Sequence, residues 1–259
     1  MRRGVAFACC LALLHIVAAR ADDTVCAGEP FSDGQVKGVI DGRTLLLADG
    51  REVRLAGIEA PDQGKTALDA LVAGRDVALL KLGSDTDRYG RTVALVALQD
   101  EPAQNSVQAA LLERGQARVS AHIGDFSCAA ALLGAERRAR VAGLGLWADP
   151  YYVMRNAEDP AGILAVRGRF AVVEGKVLSV RESGATIYVN FGRRWSEDFT
   201  VTVPKRNERS FTAAGLPLKK LAGQHVRVRG TIEERGGPWI EALAPEQIEI
   251  AERGLDGHE

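Results

Sequence analysis

Two short stretches of the chain combine arginines with carboxylates in a pattern suited to chemistry on a phosphate ester. The stretch VRLAGIEAPD carries Arg54 on a predicted strand, followed by the carboxylates of Glu59 and Asp62. The stretch DRYGR places Arg91 in a loop that contains a glycine. A guanidinium donates two parallel hydrogen bonds to phosphate oxygens, and a carboxylate accepts a proton from an attacking water. Two arginines and a carboxylate therefore predict chemistry on a phosphodiester bond.

The elements that must position these residues are short strands joined by tight turns. Asp-Gly pairs at residues 41–42 and 49–50 are strong hairpin signals. Apolar residues at helical spacing predict three helices, over residues 65–72, 106–114 and 128–141. The predicted strands cover residues 35–40, 44–47, 52–58, 76–82 and 92–98. Strands interleaved with three helices predict an α+β domain over residues 35–150.

A second β-rich domain is predicted over residues 167–250, after a linker at 151–166 that contains prolines and glycine. Five segments in it alternate apolar and polar residues, and a helix-like segment at 210–221 lies between the third and fourth. A five-stranded barrel of the OB type places a helix at that point. We therefore expect a small five-stranded OB-like barrel, followed by a tail at 251–259. Its predicted strands cover residues 171–180, 185–191, 199–203, 226–232 and 239–250.

The first 21 residues have the parts of a secretory signal peptide. Arg2 and Arg3 precede an apolar run at 5–19, and a small-x-small pattern follows at 19–21. The alternative is a buried first helix. With the signal removed, the mature chain begins near Asp22 with an extension over 22–34, and no later apolar run approaches the roughly 20 residues of a membrane span. The sequence thus predicts a periplasmic or secreted protein with no transmembrane segment in the mature chain.

Removing the signal also leaves one pair of cysteines. Cys26 and Cys128 are the two of the four cysteines that lie beyond residue 21. Because disulfides form and persist in oxidising compartments, we predict that Cys26 and Cys128 are bonded. The alternative is two unrelated thiols, since a sequence does not show whether two Cα atoms lie within bonding range.

The charge of the chain differs between its two halves. Residues 22–150 hold 14 Lys and Arg against 19 acidic residues, whereas residues 167–250 hold 14 against 10. The second half is the better surface for a polyanion, although a small basic excess is also typical of an ordinary solvated face.

We predict Trp195, Arg227 and Arg229 as substrate-binding residues, because aromatic and basic side chains suit single-stranded nucleic acids. The candidate ligand face contains Tyr188, Phe191, Arg193, Arg194, Trp195, Arg227, Arg229 and Trp239, and the alternative is that half of the aromatics fill the barrel.

Five motifs in order along the first half resemble the staphylococcal-nuclease-like, or thermonuclease, family. They are DGRT at 41–44, RLAGIEAPD at 54–62, DRYGR at 87–91, LLERGQARV at 111–119 and GLGLWADP at 143–150. The resemblance covers residues 35–150. It implies an OB-type barrel with helices, and an activity that cuts DNA or RNA with calcium.

The resemblance also implies roles for individual residues. Arg54 and Arg91 match the phosphate-contacting arginines, and Asp62 matches the catalytic carboxylate, so these three are the predicted catalytic residues. Glu59 matches a calcium ligand. Arg43, in contrast, stands where the family has a second calcium-binding aspartate, and a guanidinium offers no oxygen to a cation that takes six to eight. We predict that Arg43 takes the place of the cation and binds phosphate, with Glu59 as its ion-pair partner.

The surface that stacks on a base also differs from the family. Tyrosines commonly follow the strand equivalent to 117–119, whereas Ser120 and Ala121 stand here. Tyr89 is the predicted substitute, the alternative being a tyrosine packed beside its loop.

Two main functions remain open: an exported thermonuclease-like hydrolase with an altered calcium site, and a catalytically reduced protein that binds DNA, RNA or another envelope polyanion. An interaction protein of the cell envelope is a third.

Overall fold

The chain is described by a computed structural model over residues 26, 28–84, 86–102, 105–194 and 196–251. The predicted signal peptide and Trp195 lie outside the described residues. Two apolar cores follow one another along the chain, and we name the surrounding parts the N-terminal unit (26–149) and the C-terminal unit (155–251). No helix within the described part is long and apolar enough to span a membrane.

The N-terminal unit is built on a closed five-stranded barrel. The strands of the whole unit, five of which form the barrel, are β1 (Pro30–Asp41), β2 (Thr44–Leu47), β3 (Glu52–Leu55), β4 (Ile58–Glu59), β5 (Asp76–Leu80), β6 (Thr92–Leu98) and β7 (Arg118–Val119). The barrel order is β1-β2-β3-β6-β5, and β5 pairs back with β1. Strands β3 and β6 pair in parallel, and β4 pairs with β7 outside the barrel. Apolar side chains that alternate along β2 and β3 fill its interior.

The predicted strand at 52–58 is interrupted in the structure. It ends at Leu55 and resumes at Ile58 as β4. Gly57 between them has a φ of 74°, a left-handed conformation that glycine adopts without steric cost. The turn directs β4 away from the barrel toward β7.

Three helices cover the barrel, as the apolar spacing predicts. They are α1 (Lys65–Val72), α2 (Val107–Glu113) and α3 (Phe126–Val141). Ser106 caps α2, its Oγ accepting from the Ala109 amide at 3.1 Å. Asp125 caps α3, its Oδ1 accepting from the Cys128 amide at 2.9 Å. An N-cap of this kind satisfies a backbone donor that has no partner inside the helix, which is why α3 begins two residues before the predicted start.

The predicted disulfide between Cys26 and Cys128 is confirmed. The two Cα atoms lie 4.2 Å apart. The bond fixes the start of the described chain to the first turn of α3.

The C-terminal unit contains two sheets. Its strands are β8 (Arg155–Asn156), β9 (Phe170–Lys176), β10 (Ser179–Ser183), β11 (Thr186–Asn190), β12 (Thr200–Pro204), β13 (His225–Thr231), β14 (Glu233–Arg235), β15 (Gly237–Glu241) and β16 (Ile248–Ile250). One sheet has the order β10-β11-β12-β15-β14, and the other β16-β13-β9-β8. Two short helices, α4 (Pro160–Leu164) and α5 (Glu208–Ala213), and a 3-10 turn at Leu218–Leu221 accompany them.

The five predicted strands of this unit are divided between these two sheets. The predicted strand at 171–180 is divided into β9 and β10, and the one at 239–250 into β15 and β16. Because β9 and β10 pair in different sheets, the ladder does not close as it does in the N-terminal unit. The predicted linker is also partly ordered into elements, since β8 pairs with β9.

Buried charges join the two units. Arg229 of β13 and Glu136 of α3 have fully buried side chains, with Arg229 Nη1 3.0 Å from Glu136 Oε2. The second carboxylate on Arg229 belongs to Glu249, at 3.1 Å from Nη2. Arg140 Nη1 also donates to Glu136, at 3.1 Å. The pair is shielded from water on all sides, so each charge depends on its partner.

Replacing Glu136 with Ala is expected to lower the free energy of unfolding by about 3–5 kcal/mol, because it leaves a buried guanidinium without its main partner. Urea unfolding followed by circular dichroism measures the change. Glu136→Leu combined with Arg229→Met should recover most of the loss, because neither charge is then buried alone. The control is Glu113→Gln, which breaks the exposed pair with Arg138 and should cost less than about 1 kcal/mol. A Glu136→Ala variant as stable as the control would contradict this account.

Candidate functional site

The turn between β1 and β2 is pressed against the segment that follows β4. Asp41 shapes the turn, its Oδ1 accepting from the Arg43 amide at 2.8 Å and its Oδ2 from Thr44 Oγ1 at 3.0 Å. A Cβ on Gly42 would lie 2.1 Å from the carbonyl oxygen of Pro61. Only glycine therefore permits this approach, which brings Arg43 to the residues that follow β4.

Arg43 is paired with Glu59. Its Nη1 donates to Glu59 Oε2 and lies 3.4 Å from the carbonyl oxygen of Ile58. The side chains of Arg43 and Glu59 are 21% and 34% exposed. The ion pair thus fixes the guanidinium of Arg43 while leaving part of it open to solvent.

Arg54 lies at the centre of a group of charges. It is half-buried on β3, where it pairs with Thr44 of β2. Burial lowers the pKa of Arg54, and the nearby charges of Arg43 and Arg91 lower it further, while Glu59 and Asp41 act in the opposite direction. No carboxylate among the described residues forms an ion pair with Arg54. A bound anion would supply the charge that Arg54 lacks.

Arg91 is held by the loop that precedes β6. Its Nε and Nη2 lie 2.8 and 2.7 Å from Asp87 Oδ2. The hydrogen bond that Arg91 donates to Asp87 raises the pKa of Arg91, and Asp87 Oδ1 also accepts from the amides of Tyr89 and Arg91. Asp87 is thus the organising residue of the loop. The DRYGR motif contained this signal, an aspartate four residues before an arginine.

Tyr89 projects from the same loop. It is 67% exposed, with the guanidiniums of Arg88 and Arg91 4.7 and 5.3 Å from its ring centroid. The structure therefore contradicts the alternative in which this tyrosine packs beside the loop. The ring is available to a flat ligand next to the arginines.

Asp62 is the exposed first residue of a 3-10 turn over Asp62–Gly64. It follows Pro61, whose carbonyl contacts the turn that carries Arg43. Asp62 is thus exposed to solvent and follows directly on the residue that contacts this turn.

The second predicted set of substrate-binding residues is not brought to this site. Arg229 is fully buried and Arg227 is 3% exposed. Arg227 Nε lies 2.5 Å from Glu174 Oε2, and Nη1 lies 3.3 Å from Glu249 Oε1. The prediction that Arg227 and Arg229 bind substrate is corrected here, because both guanidiniums are buried and already paired: Arg227 with carboxylates of its own unit, and Arg229 with Glu136 of the N-terminal unit as well. Trp195, the third of the set, lies outside the described residues.

Residues 52–149 match the family model described as Staphylococcal nuclease homologue. The match includes Arg54, Glu59, Asp62 and Arg91 and stops before the C-terminal unit. It supports a staphylococcal-nuclease-like domain in the N-terminal unit. At the level of the family, the match supports a thermonuclease-like nuclease or nucleic-acid binding. No curated protein matches the chain.

The family is usually calcium-dependent, which makes calcium plausible, but the residues of this chain do not fit a calcium site. The guanidinium of Arg43 binds the carboxylate of Glu59, and Asp41 is occupied with its own turn. No group of three or more His, Cys, Asp or Glu residues in the described ranges is arranged to hold a metal. Calcium takes six to eight oxygen ligands, and a guanidinium supplies none.

Arg43→Asp is expected to create calcium binding. The substitution adds a carboxylate beside Asp41 and Glu59, and it removes a charge that would repel the ion by up to about 8 kcal/mol at 4 Å and an effective dielectric of 20. Isothermal titration calorimetry should show calcium affinity at least about tenfold above that of the parent. Arg43→Met is the matched control, because it removes the charge without adding an oxygen. Calcium binding by Arg43→Asp no tighter than that of the parent, or tight binding by the parent, would show that Arg43 does not block the ion.

Proposed function

We propose that this chain is an exported nucleic-acid-binding protein whose N-terminal unit holds the phosphodiester backbone at Arg43, Arg54 and Arg91 without calcium. The observation that carries the proposal is the charge of Arg54, which no carboxylate of the described residues pairs and which lies near two arginines that carboxylates hold in place. A phosphate that enters this group gives Arg54 its counter-charge. Hydrogen bonds to charged groups contribute about 1.5–3 kcal/mol each.

The neighbouring aromatic ring supports a nucleic acid over a simple phosphate. Tyr89 offers an exposed face beside Arg91, and a base that stacks on such a ring gains about 1–3 kcal/mol. One residue with a π-face next to a phosphate site matches the alternation of base and phosphate along a strand. The arginine group around Arg54 then binds a backbone phosphate, and Tyr89 adds a stacking contact that every base can make.

Export is supported by the covalent chemistry of the N-terminal unit. The Cys26–Cys128 bond persists in an oxidising compartment. The apolar segment at 5–19, with arginines before it and small residues after it, supplies the signal. We place the mature protein in the periplasm or outside the cell.

Arg54→Gln should weaken binding of a fluorescein-labelled single-stranded oligonucleotide about tenfold, because it removes the unpaired cation while keeping a polar side chain. Fluorescence anisotropy in chelator measures the affinity. The slope of log affinity against log salt should become shallower by about 0.7, the contribution of one single-strand phosphate contact. The matched control is Arg75→Gln, because Arg75 pairs with Asp100 and Glu101 on another surface. If Arg54→Gln and Arg75→Gln bind alike, the proposed site is wrong.

Hydrolysis is a second candidate function, favoured by the exposed Asp62, which follows the residue in contact with the turn that carries Arg43. A carboxylate there can accept the proton of a water that attacks the bound phosphodiester. The negative charge that develops at phosphorus would be stabilised by Arg54 and Arg91. The oxygen of the water forms a new bond to phosphorus as one ester P–O bond breaks, and the leaving oxygen takes its proton from solvent.

Asp62→Asn should abolish any cleavage of the oligonucleotide while leaving its binding unchanged. A general base contributes about 10²–10⁴-fold to a rate, so the loss should be at least about a hundredfold. Gel analysis of labelled DNA and RNA in chelator follows the reaction. Asp69→Asn, an exposed aspartate on α1, is the control. A parent protein that binds but does not cut would leave binding as the function and remove hydrolysis.

We also propose that the C-terminal unit is an OB-like barrel with two breaks in its ladder. If β9 with β10 and β13 with β14 are each counted as one bent strand, the pairing order is the same as in the N-terminal barrel. The parallel pair recurs as well, between β12 and β15. Only Val177–Leu178 and Ile232 separate the bent halves.

A further inference from the structure

The C-terminal unit contains a wide groove over one face of its five-stranded sheet. Its volume is about 780 Å³, which lies within the range of sites for small molecules and short polymer segments. The groove runs across β10, β11, β12 and β15 and reaches Arg193 after β11 and Arg235 of β14. It lies in the unit that the family match does not cover.

Strand register places polar and aromatic residues on the floor of this groove. One row across the sheet is formed by Arg181, Tyr188, Thr202 and Glu241. The neighbouring row is formed by Ser179, Asn190, Thr200 and Trp239. The alternate residues of the same strands fill the core with apolar side chains, as the period of a strand requires. The sheet thus separates an apolar face from a face built for a polar ligand.

Two flat surfaces line the groove, one from Tyr188 and one from Arg235 stacked on Trp239. Tyr188 is 36% exposed on the central part of the sheet. Arg235 covers the ring of Trp239, its Cζ 3.4 Å from the centroid, and the Arg235 side chain is itself 60% exposed. A guanidinium stacked on an indole presents its own flat outer face to a further ring. Tyr188 and Arg235 therefore offer two flat surfaces to planar groups.

The groove also carries charge suited to an anion. Arg181 and Arg193 are exposed along its edges. Of its carboxylates, Glu182 is paired with two lysines, Lys219 at 2.8 Å and Lys205 at 2.9 Å. Hydrogen bonds from Lys219 and then Lys205 lower the pKa of Glu182 to about 2. Its charge is therefore already matched, and Glu241 is the remaining carboxylate in the lining.

One buried polar atom in the floor points to a ligand. Thr202 is 6% exposed, and its Oγ1 has no hydrogen-bond partner among the described residues. A buried hydroxyl without a partner costs free energy. A ligand with hydrogen-bonding edges that reaches the floor beside Tyr188 would satisfy it.

We propose that this groove binds a segment of single-stranded nucleic acid, separate from the arginine group of the N-terminal unit. The inference rests on the proposed function and deepens it by naming single strands as the substrate class. Flat surfaces, arginines and uncharged hydrogen-bonding groups in one groove match the faces of bases, the phosphates and the edges of bases. In a duplex the faces of the bases are stacked on one another, so they cannot stack on Tyr188 and Arg235.

Tyr188→Ala in the full chain tests the stacking contact. Its affinity for fluorescein-labelled dT12 in chelator should fall about tenfold, the effect of losing one stacked base, whereas affinity for a blunt 12-base-pair duplex should not change. Tyr151→Ala is the control, because Tyr151 is exposed to a similar extent, 44% against 36%, but lies outside this groove. Equal losses for dT12 and duplex would overturn the inference, as would no loss for dT12. Unfolding curves that match the parent exclude a loss of fold.

Arg181→Gln tests the phosphate contact. It should make the salt dependence of dT12 binding shallower by about 0.7 in the log–log slope. Arg209→Gln is the matched control, since Arg209 is exposed on α5 away from the groove. An unchanged slope in Arg181→Gln would count against the groove.

The two proposed sites can fail independently. Photocrosslinking of bromodeoxyuridine-substituted dT12, followed by mass spectrometry, should label peptides within 179–204 or 233–241 even in Arg54→Gln. If Arg54→Gln binds dT12 like the parent while Tyr188→Ala does not, the proposed function of the N-terminal site falls and the groove stands. If Arg54→Gln weakens binding while the groove variants match the parent and groove peptides carry no label, the inference falls and the proposed function stands.

Discussion

The buried ion pair between Arg229 and Glu136 connects the interface of the two units with the candidate site. Glu136 accepts from the Val119 amide, and Arg229 donates to the Val119 carbonyl at 3.2 Å. Val119 pairs with Ile58 of β4, and the next residue, Glu59, holds Arg43. Charges taken out of water are costly unless each is matched, so this chain of contacts tolerates little movement. The position of Arg43 therefore depends on buried residues that lie behind the exposed part of the site.

The two candidate binding surfaces treat cations in different ways. In the N-terminal unit, carboxylates fix Arg43 and Arg91, and the nearby Arg54 has no ion-pair partner in the part of the chain that the structure describes. In the C-terminal groove, the arginines stand at the edges, and the floor holds hydroxyls and rings. The first surface suits a single phosphate in a fixed place. The second suits an extended strand whose bases differ, because stacking depends little on which base is present.

Local sequence signals predicted the elements of the N-terminal unit well. The helix at 65–72 has the predicted bounds, because apolar spacing and a glycine after the helix both mark it. The ion pair of Arg43 with Glu59 could also be predicted, since the two residues carry opposite charges at positions that the family resemblance places together. The turn at Gly57 was not, because a single glycine inside an alternating stretch fits a continuous strand as well as a break.

The fate of Arg227 and Arg229 shows what the sequence could not reveal. Their alternation correctly places both on one face of a strand, but it does not say what covers that face. The N-terminal unit covers it with Glu136, which lies 93 residues away from Arg229. In contrast, alternation in β11 separated Tyr188 from Ile187 without showing which face meets solvent. Both outcomes depend on packing between distant elements, so only the folded structure decides them.

The disulfide has a consequence for how the N-terminal unit withstands proteases. Cys26 precedes the whole barrel, and Cys128 follows it at a separation of 102 residues. The loop with the exposed Tyr89 lies between them, and exposed loop tips are common sites of nicking. A single cut in that loop would leave two fragments that remain covalently joined, with their strands still paired across the barrel. Such a molecule loses one peptide bond but keeps Arg54 and Arg91 on the same scaffold.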